Sequence, residues 1–452
     1  MTGNEALNRL SQTAAAAGLA DGRFTANDLL ECCLAAIARD NGRLNAFVHI
    51  DAAGARLAAE AADVRRQRGR SMGALDGIVI AIKANIAVKD WPHSAGFKFR
   101  RQTFAVEDAF VVRRLRAAGA VLIGSTNMDE GALGTEGNNP WFGAIQNPLR
   151  QGYSPGGSSG GSAAAIAGGL CIAALGSDTI GSIRIPAAFC GCVGLKPSSG
   201  LVSVGGVLPV HSRFDHVGPL VRTVEDLPAM LAVLAGHDPT SSVSFPLQLT
   251  PPRAARTPRT LGYGVGLDPD AIDDALIAAY NQGISRFRRS GASLIPIDLR
   301  RWDLARLRRA ILTLCEAQMS REHREHMNST PDDYSDGLRA FIRYGGKLGP
   351  AELTQAETRI ANFYREWQTL MQPLDAVILP TVTCTAFPHG ARYPHNTADL
   401  TAIATATGLP ALSLPLPIVA AGLPFGLQII GRPAGDLDLL QIALDYAGTA
   451  AA

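Results

Sequence analysis

Residues 156–197 read GGSSGGSAAAIAGGLCIAALGSDTIGSIRIPAAFCGCVGLKP, and the alternation inside this stretch decides the fold. Gly156, Gly157, Gly160 and Gly161 surround Ser158 and Ser159, so the backbone there can take conformations closed to residues with a Cβ and can approach other groups closely. Ser162 to Gly169 follows as an Ala-rich helix whose first amides point back at the serine loop. Cys171 to Leu175 has the character of a buried strand, and Gly176 to Ser182 is a second small-residue loop opening on Ile183, Arg184 and Pro186. Loop, helix, strand and loop make an α/β unit. A strand that ends in a serine loop beneath backbone N–H groups offers a nucleophile and an oxyanion site together.

Upstream, Gly77 to Lys83 (GIVIAIK) is an apolar strand that ends in a lysine. Burial disfavours the charged form of an amine and brings its pKa toward neutrality, which makes Lys83 a usable general base. Further elements extend the same alternation. Thr25 with Asp28 caps a helix to about Arg39, Ala52 to Gln67 gives a second helix, and Val111 to Ala118 is a helix feeding the strand Val121 to Gly124. The Pro/Ser-rich stretch from Asp238 to Thr260 is an internal loop. After it come a strand at Thr260 to Val265, a helix at Asp270 to Ser290, and strands at Ala292 to Ile297, Ala376 to Leu379 and Ala411 to Leu416. These predict one large α/β domain with a central mixed β-sheet covered by helices on both faces.

With 452 residues, 47% of them hydrophobic, the chain can bury a large core. A net charge of +2 from 42 basic and 40 acidic residues carries no nucleic-acid signature. The basic clusters at 65–68 and 306–309 read as solvated helix faces. Seven cysteines without paired spacing predict reduced, mostly buried thiols. No secretory leader or membrane span is read from the sequence, so a cytoplasmic protein with no membrane partner is expected. His323 and His326 lack metalloprotease spacing and read as surface, and no metal or cofactor is implied.

Lys83, the GGSSGGS loop and the DTIGSIR loop (178–184), in this order, resemble the amidase signature family of amide hydrolases. Similar segments follow the same order: VLIGSTNMDE (121–130), QNP (146–148), DHVG (215–218) and PFGLQIIGRP (424–433). The resemblance implies a single amidase domain over 1–452: a helical part to about 70, a catalytic core to about 230, a less well matched excursion to about 400, and C-terminal core strands. It also implies Ser182 as nucleophile, Ser158 as a bridging serine after a cis peptide bond, and Lys83 as base. Backbone amides of Thr179, Ile180, Gly181 and Ser182 would form the oxyanion hole, with Asp178, Arg184 and Ser159 bracing the loops. The substrate would be a small-molecule amide, and a homodimer is the expected assembly. Two positions depart from the family pattern. Ile180 stands where glycine is usual: a positive φ there would strain a β-branched residue, whereas an ordinary φ keeps the amide and narrows the acyl pocket. We expect the second. Ala84 replaces a common aspartate and leaves the base intact.

Three other readings compete. Gly157 to Gly161 also satisfies Gly-x-Ser-x-Gly, the nucleophile elbow of α/β-hydrolases, with Ser159 as nucleophile and His211, His216, His389 or His395 as base. The segment before it, 147–155, is not the apolar strand that an elbow needs. Within the family, the chain could instead be the glutaminase component of a tRNA-dependent amidotransferase complex, with Asp399 near the glutamine-binding acid. A catalytically silent scaffold is the third. His211, Arg213 and His216 are placed either toward an acidic substrate or in loop bracing.

Overall fold

The computed structural model describes residues 7–247, 259–267, 272, 274–392, 394–416 and 422–448. Among the described residues, thirteen strands are formed: β1 (Phe47–Ile50), β2 (Val79–Lys83), β3 (Val121–Thr126), β4 (Asn138–Asn139), β5 (Gly143–Ala144), β6 (Ala173–Asp178), β7 (Val193–Lys196), β8 (His216–Val221), β9 (Thr260–Val265), β10 (Ser293–Asp298), β11 (Ala376–Pro380), β12 (Ala411–Leu416) and β13 (Phe425–Ile430). β4 and β5 pair only with each other. The other eleven make one mixed sheet in the order β1-β3-β2-β6-β8-β7-β12-β13-β11-β9-β10.

Period-two side-chain alternation gives this sheet two apolar faces. On β11, Ala376 and Ile378 join one core, with Leu29, Ala164, Leu231 and Ile442 from helices, while Val377 and Leu379 join a second core with Ile311, Trp367 and Ile403. Helices therefore cover both faces, as expected. The edges are β1 and β10, and Pro296 on β10 removes one backbone donor from that edge.

Local signals set most boundaries. Thr25 caps its helix through a reciprocal box with Asp28, Thr25 N donating to Asp28 Oδ2 at 2.8 Å and Asp28 N to Thr25 Oγ1 at 3.0 Å. That helix runs to Leu44, past the expected Arg39, and stops where Asn45 adopts φ 52°. The helix over Ala52–Gln67 has the bounds read from sequence. The strand expected at Cys171 to Leu175 instead spans Ala173–Asp178, because the Cys171 and Ile172 carbonyls accept from Arg222 at 2.7 and 3.1 Å before the ladder with β8 begins. In the 300–400 region the helices Leu304–Glu322, Asp336–Gly345 and Pro350–Met371 go beyond the elements predicted from sequence. Of the 238–260 loop and the 270–290 helix, residues 248–258, 270, 271 and 273 lie outside the described residues.

The seven cysteines are free, five of them buried. Among the described residues no helix is long and apolar enough to cross a membrane, and no three His, Cys, Asp or Glu side chains group to hold a metal.

Candidate active site

Strands β3, β2 and β6 are parallel neighbours. Their carboxyl ends deliver the site: Lys83 closes β2, Asn127 to Asp129 follow β3, and the loop from Thr179 to Ser182 follows β6. Lys83 is fully buried. Its Nζ donates to Ser158 Oγ at 2.8 Å, to Ser177 Oγ at 2.9 Å and to the Ser177 carbonyl at 3.3 Å. Burial pushes the pKa of the ammonium down to about 7, against the pull of Asp129, Asp178 and Asp215. Near neutral pH both protonation states are populated, as a proton carrier requires.

Ser158 follows a cis Gly157–Ser158 bond and is buried just ahead of the helix Gly160–Gly168. Gly157 is required by space, since a Cβ there would lie 2.0 Å from Asp129 Oδ2. Ser182 stands in the wall of a cavity of about 420 Å³ with Thr179, Ile180, Arg308 and Phe341. Among the described residues the Ser182 and Ser158 hydroxyls are not hydrogen-bonded to one another. Catalytic contacts of this kind commonly tighten around substrate.

Asp178 shapes the loop that carries Ser182. Its two carboxylate oxygens accept from Gly181 N (2.7 Å) and Ile183 N (3.2 Å), and from Arg184 Nη2 (2.8 Å) and Nε (2.9 Å). Although burial opposes its charge, the Arg184 guanidinium holds the Asp178 carboxyl well below the usual range. Thr401 Oγ1 donates to Ile180 O at 2.6 Å, and Ser159 N donates to Ser182 O at 3.1 Å.

This geometry corrects one sequence expectation. The Gly181 amide is turned to Asp178 and cannot serve an oxyanion, whereas the amides of Thr179, Ile180 and Ser182 have no partner among the described residues. Ile180 is not among the residues with positive φ, so its backbone is unstrained and its side chain faces the cavity. The positive φ falls on Gly181 instead, at 127°, where a Cβ would lie 2.5 Å from Thr401 Oγ1. Gly181→Ala should therefore twist the loop and lower kcat by roughly ten- to a hundredfold, measured by steady-state turnover at saturating amide.

The elbow reading fails on position. Ser159 Oγ donates to the Ser177 carbonyl at 3.1 Å and accepts from Ser177 N at 3.3 Å. His216 is buried against Ser199 Oγ (2.8 Å) and Phe214 O (2.7 Å), His389 binds Ile145 O, and His211 stacks on Phe214. His395 does line the cavity, but Ser159 does not. Arg213 pairs with Glu357 on the surface, so none of 211, 213 and 216 lines the cavity. His323 and His326 are half-buried rather than surface groups, stacked among Phe97, Phe99 and Tyr334.

Several site residues escaped the sequence reading. Ser177 and Asn85 complete the lysine's surroundings, Asn85 Nδ2 donating to Ser177 Oγ at 3.0 Å. Arg308, expected on a solvated face, turns into the cavity and binds Asp399 at 2.5 Å. The signal was present: Arg308, Leu312 and Cys315 share one helical stripe that lines the cavity.

Comparison with known proteins agrees with this architecture. A family model described as Amidase matches residues 28–440. A glutamyl-tRNA(Gln) amidotransferase subunit from Chloroflexus aurantiacus is 36% identical over 470 aligned residues, spanning 97% of this chain and 96% of the relative. Among solved structures, peptide amidase from Stenotrophomonas maltophilia superposes with a TM-score of 0.85 at 28% identity, covering 98% of this chain and 97% of the other. A chain from an inhibitor-bound vestigial complex, tied to the evolutionary origins of an s-triazine catabolic enzyme, reaches 0.89 at 30% identity, covering 98% and 99%. The chain belongs to the amidase family and is an amide-hydrolysing enzyme.

Proposed function

We propose that the chain acts alone on a small carboxylic amide, through an acyl-enzyme on Ser182. The observation that carries this reading is the buried Lys83, 2.8 Å from Ser158 Oγ and 2.9 Å from Ser177 Oγ on the strand that leads into the loop bearing Ser182. Ser182 Oγ attacks the carbonyl carbon while its proton passes through Ser158 to neutral Lys83. The amides of Thr179, Ile180 and Ser182 receive the negative oxygen. Collapse breaks the C–N bond, the lysine ammonium returns the proton through Ser158 to the departing amine, and water cleaves the ester by the reverse route.

The test is ammonia release from a panel of primary amides, glutamine included, by the purified chain. Because only the neutral amine accepts a proton, kcat/KM should be level at alkaline pH and fall about tenfold per unit below a midpoint near 7. A midpoint above 9 would contradict the assignment of Lys83 as base.

A second reading has its own support. Arg308 on the cavity wall, held by Asp399, presents a cation, which suits the carboxylate of a free amino acid. Together with full-length similarity to the amidotransferase relative, this favours glutamine as substrate within a complex. Hydrolysis of glutamine only, and only when partner subunits are added, would select it.

A further inference from the structure

Thr135 stands apart in the cavity wall. It lines the same cavity as Ser182, its Oγ1 is shielded from solvent, and that hydroxyl has no hydrogen-bond partner among the described residues. A buried hydroxyl without a partner costs free energy, and such groups gather where a ligand completes them.

The backbone around Thr135 is fixed from several sides. Buried Asp129 accepts from Gly137 N at 3.2 Å and Asn138 N at 3.1 Å, and Ser154 Oγ donates to Glu136 O at 2.7 Å. Gly134, at φ 159°, packs so closely on Asp129 that a Cβ would meet its carboxylate at 2.5 Å. Glu136 N abuts Gly157, 3.1 Å from where a Cβ on that glycine would lie. Thr135 is thus held one residue from the backbone that carries Ser158. That is the side on which the Ser158–Lys83 relay must protonate the departing amine; apolar Leu312, Cys315 and Phe341 line the same cavity.

We propose that Thr135 contacts the substrate on the leaving-group side, its Oγ1 accepting a hydrogen bond from the N–H of the scissile amide. The inference rests on the acyl-enzyme reading above and adds a specificity to it: amides with an N–H are favoured over esters of the same acid, which have no hydrogen to offer. An isosteric change removes the acceptor without changing the shape of the wall.

The experiment compares wild type, Thr135→Val and Thr135→Ser on the primary amide turned over best in the panel and on the methyl ester of the same acid, with fluorophosphonate labelling of Ser182 as a separate readout. For Thr135→Val, kcat/KM on the amide should fall about tenfold while the ester rate stays within about twofold. Thr135→Ser should restore the amide rate. Equal losses on amide and ester, or an unchanged amide rate in the valine variant, would overturn the proposal while leaving Ser182 labelled and the acyl-enzyme reading intact. If the valine variant loses labelling, the amide-to-ester ratio of Thr135→Ala against Thr135→Ser decides in its place, since loss of the hydroxyl alone lowers that ratio. Wild type that neither labels nor turns over any amide would remove the underlying reading, and the inference with it.

Discussion

Ser182→Ala should abolish amide turnover, with kcat reduced on the order of 10⁵–10⁶-fold, and Lys83→Ala should reduce it on the order of 10³–10⁴-fold. The difference has a structural origin. In the proposed mechanism, removing Ser182 leaves no atom to form the acyl bond, whereas removing Lys83 spares the nucleophile and the amides of 179, 180 and 182 but takes away the proton acceptor 2.8 Å from Ser158. The two losses should not add, because both groups act in one proton transfer. Substrate binding should change little in either variant, so the loss falls on kcat rather than KM.

Lys83 also burdens the fold, and the sign can be worked out. Its folded pKa, about 7, lies below the 10.5 of an unperturbed lysine. Between these values the unfolded chain binds more protons, so this residue subtracts stability as pH falls from 10.5 toward 7. In the proposed mechanism the buried amine is kept at that cost for its chemistry, and replacing it with a neutral side chain should relieve this pH dependence while abolishing activity.

Asp178→Asn should be the most destabilising conservative change near the site, by about 3–5 kcal/mol. Each carboxylate oxygen accepts one backbone amide and one guanidinium nitrogen: Oδ1 takes Gly181 N and Arg184 Nη2, Oδ2 takes Ile183 N and Arg184 Nε. An asparagine must turn its NH₂ toward one of these donor pairs. Arg184, fully buried, would lose one of its two bonds to residue 178 and keep Thr401 O (2.9 Å), Gln428 Oε1 (2.7 Å) and a longer contact to Thr405, with no counter-charge beside it. Urea denaturation reads the stability loss. Activity should fall as well, because the Gly181 amide loses its anchor and the oxyanion loop relaxes.

The parts of the site legible in the sequence are those written locally. The Gly-rich serine loop, the DTIGSIR loop and the lysine after an apolar run each declare themselves within a few residues, so Lys83, Ser158 and Ser182 can be named as candidates without the fold, and the structure brings Lys83 to Ser158. The capping box at Thr25 and Asp28 is legible for the same reason. What sequence could not supply is contact across great chain distance. Arg184 is held by Thr401 and Gln428, more than two hundred residues away, and the Ile180 carbonyl by Thr401. The inward turn of Arg308 is fixed by Asp399, 91 residues further along the chain, although the helical stripe that carries it is local. The Gly181 amide departs from its expected role because spacing does not reveal which way a peptide plane faces. That direction is set by the Asp178 carboxylate below the loop.

The most direct test of the central claim is the location of the covalent intermediate. Intact mass and peptide mapping after treatment with a fluorophosphonate should place a single adduct on the peptide containing Ser182. It should be absent in Ser182→Ala and greatly slowed in Lys83→Ala. An adduct on Ser159, or amide turnover that survives in Ser182→Ala, would contradict the account.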